Sequence, residues 1–395
     1  MRQNNLSKPL VAIACGGTGG HLFPGLAVGE ELLNLGCRVQ LLISPKEVDQ
    51  QAVKYALGME TVVLPAIGLT RGNVLRFAKG FLNSYSAAKA AFRKDPPKAV
   101  LAMGGFTSAP PVLAGKKFSA VTFLHESNTI PGKANRWLAH FVNQAFVGFP
   151  MAANRLFLQN IVTTGTPVRP QFQPVDVGAG RMALGLKMDQ PVLLVMGGSQ
   201  GATGINQLVL QAVPALLKEQ PGLQFLHLTG PADCDRVKEG YAALNVKAMV
   251  LPFLSEMELA LGAATLAISR AGASSLAEMA AMRLPAILLP YPAAADNHQF
   301  FNARAFADSG AALLVEQKTT TGEALAKMIL SVLTNPARLS EMKQALENWH
   351  APDAAQVIAE KILYMMRLMG RYQSLPDANN GRTGTHLRNP QSALV

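Results

Sequence analysis

The chain of 395 residues contains little cysteine. Its three cysteines, Cys15, Cys37 and Cys234, lie far apart, and none belongs to a Cys-x-x-Cys pair. An odd number of cysteines at such spacings argues against a disulfide framework and against a structural zinc site. The pattern favours a protein that works in a reducing cytoplasm.

Long apolar segments are also scarce. A helix that spans a bilayer needs about 20 consecutive apolar residues, whereas the apolar segment at 259–268 is too short and contains Gly262. Near the N-terminus, the apolar segment at 10–15 runs directly into Gly16, which predicts a strand rather than a signal peptide. We expect a protein that is soluble or lies on a membrane without crossing it.

Charged residues make up only 15% of the chain, but their balance is basic, with a formal net charge of +11. A basic protein favours anionic partners such as nucleic acid, phosphorylated small molecules or an anionic membrane surface. The sequence has no long Lys/Arg run, no zinc-finger spacing and no aromatic RNA-binding motif. Nucleic acid is therefore the least favoured of the three, and we expect none as a partner.

Short apolar segments alternate with amphipathic ones in both halves of the chain, and the length suits two domains. This alternation predicts an α/β fold with two parallel sheets covered by helices. The predicted strands are 10–15, 38–43, 61–64, 99–103, 121–124, 145–147, 192–196, 224–228, 247–250, 266–269, 286–289 and 311–315. The predicted helices are 25–35, 74–94, 133–140, 205–217, 233–243, 274–281, 299–308, 320–333, 337–347 and 353–369.

A segment rich in proline and glycine separates the two halves. It opens with Gly-Thr-Pro-Val-Arg-Pro at 165–170 and continues through Pro174, Gly178 and Gly180, so we place an interdomain linker there. The predicted division is a Rossmann-like domain at 9–167, a second at 168–352, a helix within 353–372 that packs back on the first domain, and a disordered tail at 373–395.

The first glycine-rich turn, Gly-Gly-Thr-Gly-Gly-His at 16–21, follows a predicted strand. Glycines there let backbone N–H groups approach an anion. A nicotinamide site is a poor match, because no third glycine is in register and the second strand ends at Ser44 rather than at an acidic residue. His21 is either a helix-capping or solvated residue or, directly after five loop residues of which four are glycine, a general base or substrate contact.

Further polar or glycine-rich turns follow other predicted strands. Met-Gly-Gly-Phe-Thr-Ser at 103–108 and Gly-Gly-Ser-Gln-Gly at 197–201 each follow a strand, and the second could cradle a diphosphate. His-Glu-Ser-Asn at 125–128 predicts either a ligand site or helix capping by Ser127 or Asn128. Asp-Asn-His-Gln at 296–299 follows another strand. Such turns at carboxyl ends of parallel strands are expected to line one crevice.

Two acidic positions have competing interpretations. Glu278 lies in a strand-to-helix segment of small residues at 270–278, where it could hold the hydroxyls of a ribose or simply complement the helix dipole. Asp233-Cys234-Asp235 has the letters of a metal–diphosphate motif, but it falls at a predicted helix start after Pro231. We interpret that segment as a solvated face and expect no metal.

Together these motifs resemble the MurG family, which transfers N-acetylglucosamine from UDP-GlcNAc to lipid I in peptidoglycan synthesis. The matching segments, in the family's order, are 16–21, 104–108, 125–128, 165–169, 197–202, 270–278 and 290–303. The resemblance implies the GT-B fold, two Rossmann-like domains with a cleft between them, and C-terminal helices. It also implies an inverting hexosyltransferase that forms a β-1,4 link and yields lipid II at the cytoplasmic face of the bacterial inner membrane.

The resemblance further implies which residues act. The catalytic base would be His21, with Glu126 as the next candidate, and no cofactor or metal ion is implied. Departures from the family pattern occur at Ser127, at Thr166 and in the Ser274-Ser275 pair. The implied donor contacts are Thr18, Gly19, Gly20, Asn128, Arg169, Ser199, Leu254, Ala273, Ser274, Ser275, Leu276, Ala277, Glu278 and Gln299.

The implied partners are UDP-GlcNAc, lipid I, an anionic membrane surface and other cell-wall synthesis or division proteins. Arg169 has the alternative role of a linker salt bridge. Two other functions remain open: another GT-B enzyme that uses UDP-GlcNAc, either an epimerase or a transferase to a soluble acceptor, and a non-catalytic UDP-sugar-binding protein.

A membrane contact is predicted in the segment 71–94. The alternative is that its apolar stripe packs on the sheet, as in most α/β domains. The apolar residues of the stripe are Val74, Phe77, Phe81, Tyr85 and Phe92, flanked by Leu75 and Leu82. The basic residues that would attract anionic lipid are Arg71, Arg76, Lys79, Lys89, Arg93 and Lys94.

Overall fold

The structure is a computed structural model, and it describes residues 8–52, 54, 56–68, 73–174, 176–198 and 200–370. The tail predicted at 373–395 lies outside the described residues. Within the described part of the chain, no helix is both long enough and apolar enough to cross a membrane.

The first half of the chain forms a seven-stranded sheet in the order β3-β2-β1-β4-β5-β6-β7. All of its neighbouring strands pair in parallel. Strands β1, β4, β5 and β6 are buried at every residue, as expected for a parallel sheet with helices on both faces. The strands are β1 (Leu10–Ala14), β2 (Arg38–Ile43), β3 (Glu60–Val63), β4 (Ala99–Ala102), β5 (Val121–Glu126), β6 (Gln144–Val147) and β7 (Ile161–Thr163).

The second half forms a six-stranded parallel sheet in the order β10-β9-β8-β11-β12-β13. In both sheets the strand order reverses beside the first strand of the sheet, so each has a switch point where its first glycine turn emerges. The strands are β8 (Val192–Met196), β9 (Gln224–Leu228), β10 (Met249–Leu251), β11 (Leu266–Ser269), β12 (Ala286–Leu288) and β13 (Ala312–Leu314).

Helices cover both faces of each sheet. In the first half they are α1 (Gly19–Asn34), α2 (Glu47–Ala52), α3 (Val74–Lys94), α4 (Ala109–Lys117), α5 (Lys133–Leu138) and α6 (Pro150–Ala153). The remaining helices are α7 (Val177–Ala183), α8 (Thr203–Glu219), α9 (Cys234–Ala243), α10 (Met257–Ala263), α11 (Ala273–Ala281), α12 (His298–Asp308), α13 (Gly322–Leu333), α14 (Pro336–Glu347) and α15 (Ala354–Leu368).

The predicted α/β fold with two Rossmann-like domains is confirmed, but local details differ from the sequence-based expectations: helices α2, α4, α6 and α10 were not predicted, and three further differences follow. Helix α1 begins at Gly19 rather than at Gly25, so His21 lies in its first turn. Strand β7 was not predicted, because it has only three residues, of which two are apolar and none is buried. Gly178 and Gly180, expected in the linker, lie in α7.

Helix α7 forms where a linker was expected because two local features favour it. Asp176 caps its N-terminus by accepting a hydrogen bond of 2.8 Å from the backbone N–H of Gly178. Gly180 allows close packing, since a Cβ atom there would lie 3.2 Å from the backbone nitrogen of Ala263 in α10.

The C-terminal helix α15 returns to the first sheet after the second sheet is complete. Ile358, Ile362 and Met366 are fully buried and share a core cluster with residues of β1 and α1. Their spacing of four residues places them on one face of the helix. The chain therefore runs from the first sheet to the second and back again.

Candidate active site where the two sheets meet

The first glycine turn is fixed by the end of β2. A Cβ atom on Gly16 would lie 2.3 Å from the backbone nitrogen of Ser44, so only glycine fits there. Gly17 has a φ of +111°, and its N–H donates to Oδ2 of Asp49 over 2.6 Å. The Nζ of Lys46 donates to the carbonyl of Gly17 over 2.9 Å. Both backbone polar groups of Gly17 are thus occupied by protein, and Gly17 is not a free phosphate donor.

Thr18, Gly19 and Gly20 lie at the N-terminus of α1. Thr18 and Gly20 are exposed, so this end of the helix, with its partial positive charge, faces solvent. The carbonyl of Gly20 accepts a hydrogen bond of 2.9 Å from the hydroxyl of Ser274 at the start of α11. Two helix N-termini, one from each sheet, therefore meet at this point.

His21 stands between the two glycine turns of the first sheet. Its Nδ1 lies 3.1 Å from Oγ1 of Thr18. A Cβ atom on Gly104 would lie 3.0 Å from Nε2 of His21, and one on Gly105 would lie 3.1 Å from Nδ1. The glycines at 104 and 105 therefore make room for the imidazole, and both have positive φ angles that glycine adopts without strain.

Burial lowers the pKa of His21 to about 4. The charge of Asp49 acts in the opposite direction, while Lys46 and His298 add to the lowering of this pKa. At neutral pH the ring is uncharged, which is the state a general base requires. His298 belongs to the second sheet's domain, so groups from both halves surround this ring.

The second turn of the first sheet is tied to the first one. The hydroxyl of Thr107 donates to the carbonyl of Gly16 over 2.6 Å, and the hydroxyl of Ser108 accepts from the backbone N–H of Gly104 over 3.0 Å. Thr107 and Ser108 are both fully buried. These hydrogen bonds hold the loop at 104–108 in place beside His21. The two glycine turns therefore lie side by side, as expected for turns that line one crevice.

Glu126 organises the loop that follows β5. One carboxylate oxygen accepts from the backbone N–H and the side-chain amide of Asn128, at 2.8 and 3.0 Å. The other accepts from the N–H of Gly132 and the amide of Asn135, both at 2.9 Å. With four hydrogen bonds on a buried carboxylate, Glu126 is poorly suited to be the alternative base.

His125 is enclosed within the first domain. Its Nε2 lies 3.1 Å from the carbonyl of Gly165, and its Nδ1 lies 3.2 Å from the hydroxyl of Ser127. Burial lowers the pKa of His125 to about 4. The segment at 125–128 caps no helix, because Gly132 is the residue that precedes α5.

Asn302, in α12, joins the two halves and was not singled out from the sequence. Its Oδ1 accepts from the backbone N–H and the hydroxyl of Thr129, both at 2.9 Å. Its Nδ2 donates to Oδ1 of Asn128 over 3.0 Å and to the carbonyl of Ala271 over 3.1 Å. The only sequence signal was its place in the 290–303 motif, since an isolated asparagine in a helix does not reveal its partners.

The glycine turn after β8 is shaped by contact with the residues that follow β9. A Cβ atom on Gly201 would lie 2.0 Å from the carbonyl oxygen of Thr229, so this glycine is required by close packing. Gly198 has a φ of +87°, and a Cβ atom there would meet no atom within 4 Å. Ser199 lies outside the described residues, so its role as a donor contact stays a prediction.

The start of α11 presents a mixture of buried and accessible side chains. Ala273 and Leu276 are buried in the core, whereas Ser274, Ser275 and Ala277 are half-buried. Glu278, also half-buried, has a pKa raised to about 7 by burial. Arg169 lowers that pKa and Glu258 raises it, so the acid sits among charges from α10 and from the linker.

Arg169 lies buried between the linker and α1. Its guanidinium is 4.2 Å from the ring centre of Phe23 and 5.1 Å from that of Phe172. Its charge also acts on Glu30, whose pKa is raised mainly by burial. Arg169 thus connects the first helix of one domain electrostatically with Glu278 of the other.

Comparison with known proteins shows which family this chain belongs to. Sequence profiles of the glycosyltransferase family 28 N-terminal and C-terminal domains match residues 11–147 and 192–358. A protein of Anaeromyxobacter sp. (strain Fw109-5), named UDP-N-acetylglucosamine--N-acetylmuramyl-(pentapeptide) pyrophosphoryl-undecaprenol N-acetylglucosamine transferase, is 36% identical over 90% of this chain and 93% of its own length. A protein of the same name from Gloeothece citriformis (strain PCC 7424) is 37% identical over 89% of this chain and 94% of its own. The chain belongs to the MurG family.

Solved structures agree with this assignment. The crystal structure of Acinetobacter baumannii MurG matches with a TM-score of 0.69 and 28% identity, covering 91% of this chain and 100% of that one. A putative UDP-N-acetylglucosamine 2-epimerase from Listeria monocytogenes matches with a TM-score of 0.66 but only 16% identity, covering 94% of this chain and 100% of that one. The second likeness shows the shared fold alone.

In this MurG-family chain the structure brings part of the predicted site together. His21, Thr18, Gly20 and Ser274 surround the meeting point of α1 and α11. Asn128 instead binds Glu126 and Asn302, so its side chain serves the interdomain junction.

Two predicted donor contacts lie elsewhere in the second domain. The Oε1 of Gln299 accepts from the backbone N–H of Tyr291 over 2.9 Å, which leaves the amide N–H groups for a ligand. Leu254 packs against the core of the second domain.

One sequence-based interpretation is wrong. Asp233 is not on a solvated face, because it is only 7% exposed, whereas the side chain of Asp235 is 92% exposed. The carboxylate of Asp233 accepts hydrogen bonds from Asn206 over 2.8 Å and from Arg236 over 2.7 Å. Hydrogen bonds to side chains of α8 and α9 therefore explain why Asp233 is buried.

Proposed function

We propose that this chain transfers N-acetylglucosamine from UDP-GlcNAc to the lipid-linked acceptor lipid I, forming lipid II. The observation that carries the proposal is the meeting of two helix N-termini at the Ser274–Gly20 hydrogen bond, with an uncharged His21 one residue away. Relatives at 36–37% identity carry this activity in their names. A positive helix end suits an anionic diphosphate, and a neutral imidazole suits proton abstraction.

The donor is proposed to lie against the second domain. Glu278 accepts hydrogen bonds from the ribose hydroxyls, while the start of α11 and the amide of Gln299 contact the rest of the nucleotide sugar. The glycine turn at 197–201 is proposed to lie beside the diphosphate, with Ser199 as a predicted contact. Arg169 adds positive charge from the linker.

The chemical step is proposed to be a direct displacement with inversion. His21 removes the proton of the acceptor hydroxyl while the hydroxyl oxygen attacks the anomeric carbon. The bond from that carbon to the UDP oxygen breaks, and its electron pair leaves with the diphosphate. The proton on His21 then passes to solvent, which restores the neutral ring.

A reaction mixture of the purified protein, labelled UDP-GlcNAc and a lipid I analogue tests the function. Transfer of label to the lipid supports the proposal. Two alternative functions give different results in this assay. An epimerase, whose fold is shared, would interconvert UDP-sugars without the lipid. A UDP-sugar-binding protein would bind the label without any turnover. Either of these results would replace the proposed function.

A membrane contact is proposed on the first domain, around α3. A cavity of about 520 Å³ on this domain has a lining of apolar residues and two lysines: Phe81, Leu82, Tyr85, Leu113, Phe141, Lys116 and Lys117. Leu75 and Leu82 are 86% and 63% exposed. Apolar side chains beside lysines suit the boundary of an anionic bilayer.

The predicted apolar stripe of α3 divides into two parts. Phe92 is fully buried against the sheet, as the alternative interpretation expects, whereas Val74 is 64% exposed. Arg71 lies outside the described residues. The contact is therefore proposed for the N-terminal part of α3, around Leu75 and Leu82.

The remaining expectations follow from this assignment. The proposed domain boundaries are 9–167 and 168–352, with 353–372 packing back on the first domain. We also propose that the protein lies peripherally on the cytoplasmic face of the bacterial inner membrane, near other cell-wall synthesis or division proteins. Fractionation of cells and sedimentation with membranes test that location.

A further inference from the structure

A buried carboxylate lies directly behind the first glycine turn. Asp49, in α2, is 0% exposed. Its Oδ2 accepts hydrogen bonds from the backbone N–H of Gly17, at 2.6 Å, and from the backbone N–H and the hydroxyl of Ser44. Its Oδ1 is buried as well and has no hydrogen-bond partner in the described part of the protein.

Burying the Asp49 carboxylate in this way costs free energy of folding, so we expect the group to contribute to function. An acid buried with one oxygen unsatisfied loses hydration that its hydrogen bonds do not fully replace. A neutral asparagine could accept the same bonds from Gly17 and Ser44. The negative charge itself is therefore the feature that needs a reason.

The contacts of Asp49 lead to His21 in three steps. Asp49 and Lys46 hold the N–H and the carbonyl of Gly17, which fixes the turn from both sides. The next residue, Thr18, accepts a hydrogen bond of 3.1 Å from the backbone N–H of His21. The hydroxyl of Thr18 also contacts Nδ1 of the same ring.

Titratable groups on several elements act on the pKa of His21, and their effects differ in sign. Asp49, on α2, favours the protonated imidazole, whereas Lys46, before α2, and His298, on α12, oppose it. His125, at the end of β5, also interacts with His21. Asp49 is thus the negative group among these neighbours.

We propose that Asp49 is a positioning residue for His21: it holds the turn that presents the imidazole, and its charge stabilises the imidazolium that forms when the acceptor hydroxyl loses its proton. The inference rests on the proposed role of His21 as the base. The charge acts through space, because no hydrogen bond joins the two side chains in the described structure.

The test replaces Asp49 by its neutral isostere. Asp49→Asn removes the charge and keeps the shape, and Asp95→Asn removes an acid that pairs with Arg38 away from the site. The His21 titration is followed by NMR, and the pH profile of kcat/KM is measured with UDP-GlcNAc and a lipid I analogue. Thermal unfolding and UDP calorimetry confirm that each variant is folded.

We expect Asp49→Asn to titrate His21 at lower pH, to move the acidic limb of kcat/KM in the same direction, and to lower kcat about tenfold or more, because a weaker base transfers protons more slowly. Asp95→Asn is expected to leave the His21 titration unchanged. A folded Asp49→Asn protein with wild-type titration and pH profile would overturn the inference.

Two further variants separate the possible failures. Asp49→Glu keeps the charge, so we expect a near-normal His21 titration and recovery of most of the lost kcat. If Asp49→Asn does not fold, Asp49→Glu carries the test, and loss of its activity with an unchanged titration would reduce Asp49 to a structural role. If His21→Ala keeps full turnover, the proposed base fails, whatever Asp49 does.

Discussion

The side-chain amide of Asn302 donates a hydrogen bond of 3.0 Å to Oδ1 of Asn128, although 174 positions separate the two residues in the sequence. Asn128 is held in turn by Glu126, and Asn302 also binds Thr129 and Ala271. A single buried asparagine thus satisfies polar groups of both domains at the junction. Together with the Ser274–Gly20 hydrogen bond, these contacts hold the second domain in place relative to His21.

Asn302→Ala is therefore expected to destabilise the protein by about 2–4 kcal/mol, because it leaves buried donors and acceptors without partners. It is also expected to raise the KM for UDP-GlcNAc, since the two halves of the site lose their fixed relation. Urea unfolding and steady-state kinetics measure the two effects. Asn348→Ala, at an exposed position, is the control and is expected to change stability by less than about 0.5 kcal/mol. Equal behaviour of the two variants would contradict the role of Asn302.

If Glu278 holds the donor as proposed, donor binding is expected to depend on pH. Burial raises its pKa from the ordinary 4.5 to about 7. Ribose hydroxyls bind the ionised carboxylate best, so the KM for UDP-GlcNAc is expected to rise about tenfold between pH 8 and pH 6. Glu278→Gln is expected to weaken binding by about tenfold to a hundredfold and to abolish this pH dependence. A pH-independent KM in the wild-type enzyme would remove Glu278 from the site.

The Glu278 carboxyl also makes the free energy of unfolding depend on pH, and the direction is opposite to that of an acid in an ion pair. Its pKa is higher in the folded state than in the unfolded chain, so the folded state binds the proton more tightly. The stability that this proton contributes is present below the ordinary pKa of 4.5 and is lost as the pH rises through about 7. Without ligand, Glu278→Gln is therefore expected to be more stable than the wild type at pH 8, as urea unfolding would show.

His21→Ala is expected to lower kcat by about 10²–10⁴-fold, the usual contribution of a positioned base. Affinity for UDP is expected to remain close to normal, because most of the proposed nucleotide contacts lie on the other domain. Turnover with the lipid I analogue and calorimetry with UDP provide the two measurements. A fall in kcat of less than about tenfold would show that another group accepts the proton, and the four hydrogen bonds of Glu126 make that residue a weak replacement.

The membrane contact is tested on the exposed end of α3. The variant Leu75→Ser, Arg76→Glu, Lys79→Glu and Leu82→Ser is expected to lose most of its binding to anionic vesicles, since each basic residue contributes about 1 kcal/mol near such a surface. Wild-type binding is expected to weaken as salt is added. The control, Lys361→Glu with Leu368→Ser on α15, changes a 66%-exposed leucine elsewhere. Co-sedimentation equal in all three proteins would place any contact outside α3.

Elements that depend on local sequence were predicted accurately, whereas those that depend on tertiary contacts were not. Strands β8, β9 and β11 were predicted to the residue, because a buried parallel strand is a short apolar run bounded by turn residues. Helix α3 was also predicted to the residue, from Val74 to Lys94. The start of α1 was missed because Gly19 and Gly20 have low helix propensity, and the tertiary contacts of the turn with Ser44 and Asp49 fix it instead.

The sequence by itself determined the two-domain α/β fold, the places of the glycine turns and the membership of the MurG family, since each depends on local pattern or on motif order. Only the tertiary structure decided that Asp49 holds Gly17, that Asn302 joins Asn128 and Thr129, and that Asp233 is buried. The physical reason is that a polar side chain finds its partner through strand order and domain packing. Parallel sheets bring the carboxyl ends of distant strands together, and that proximity is not encoded in the spacing of any one motif.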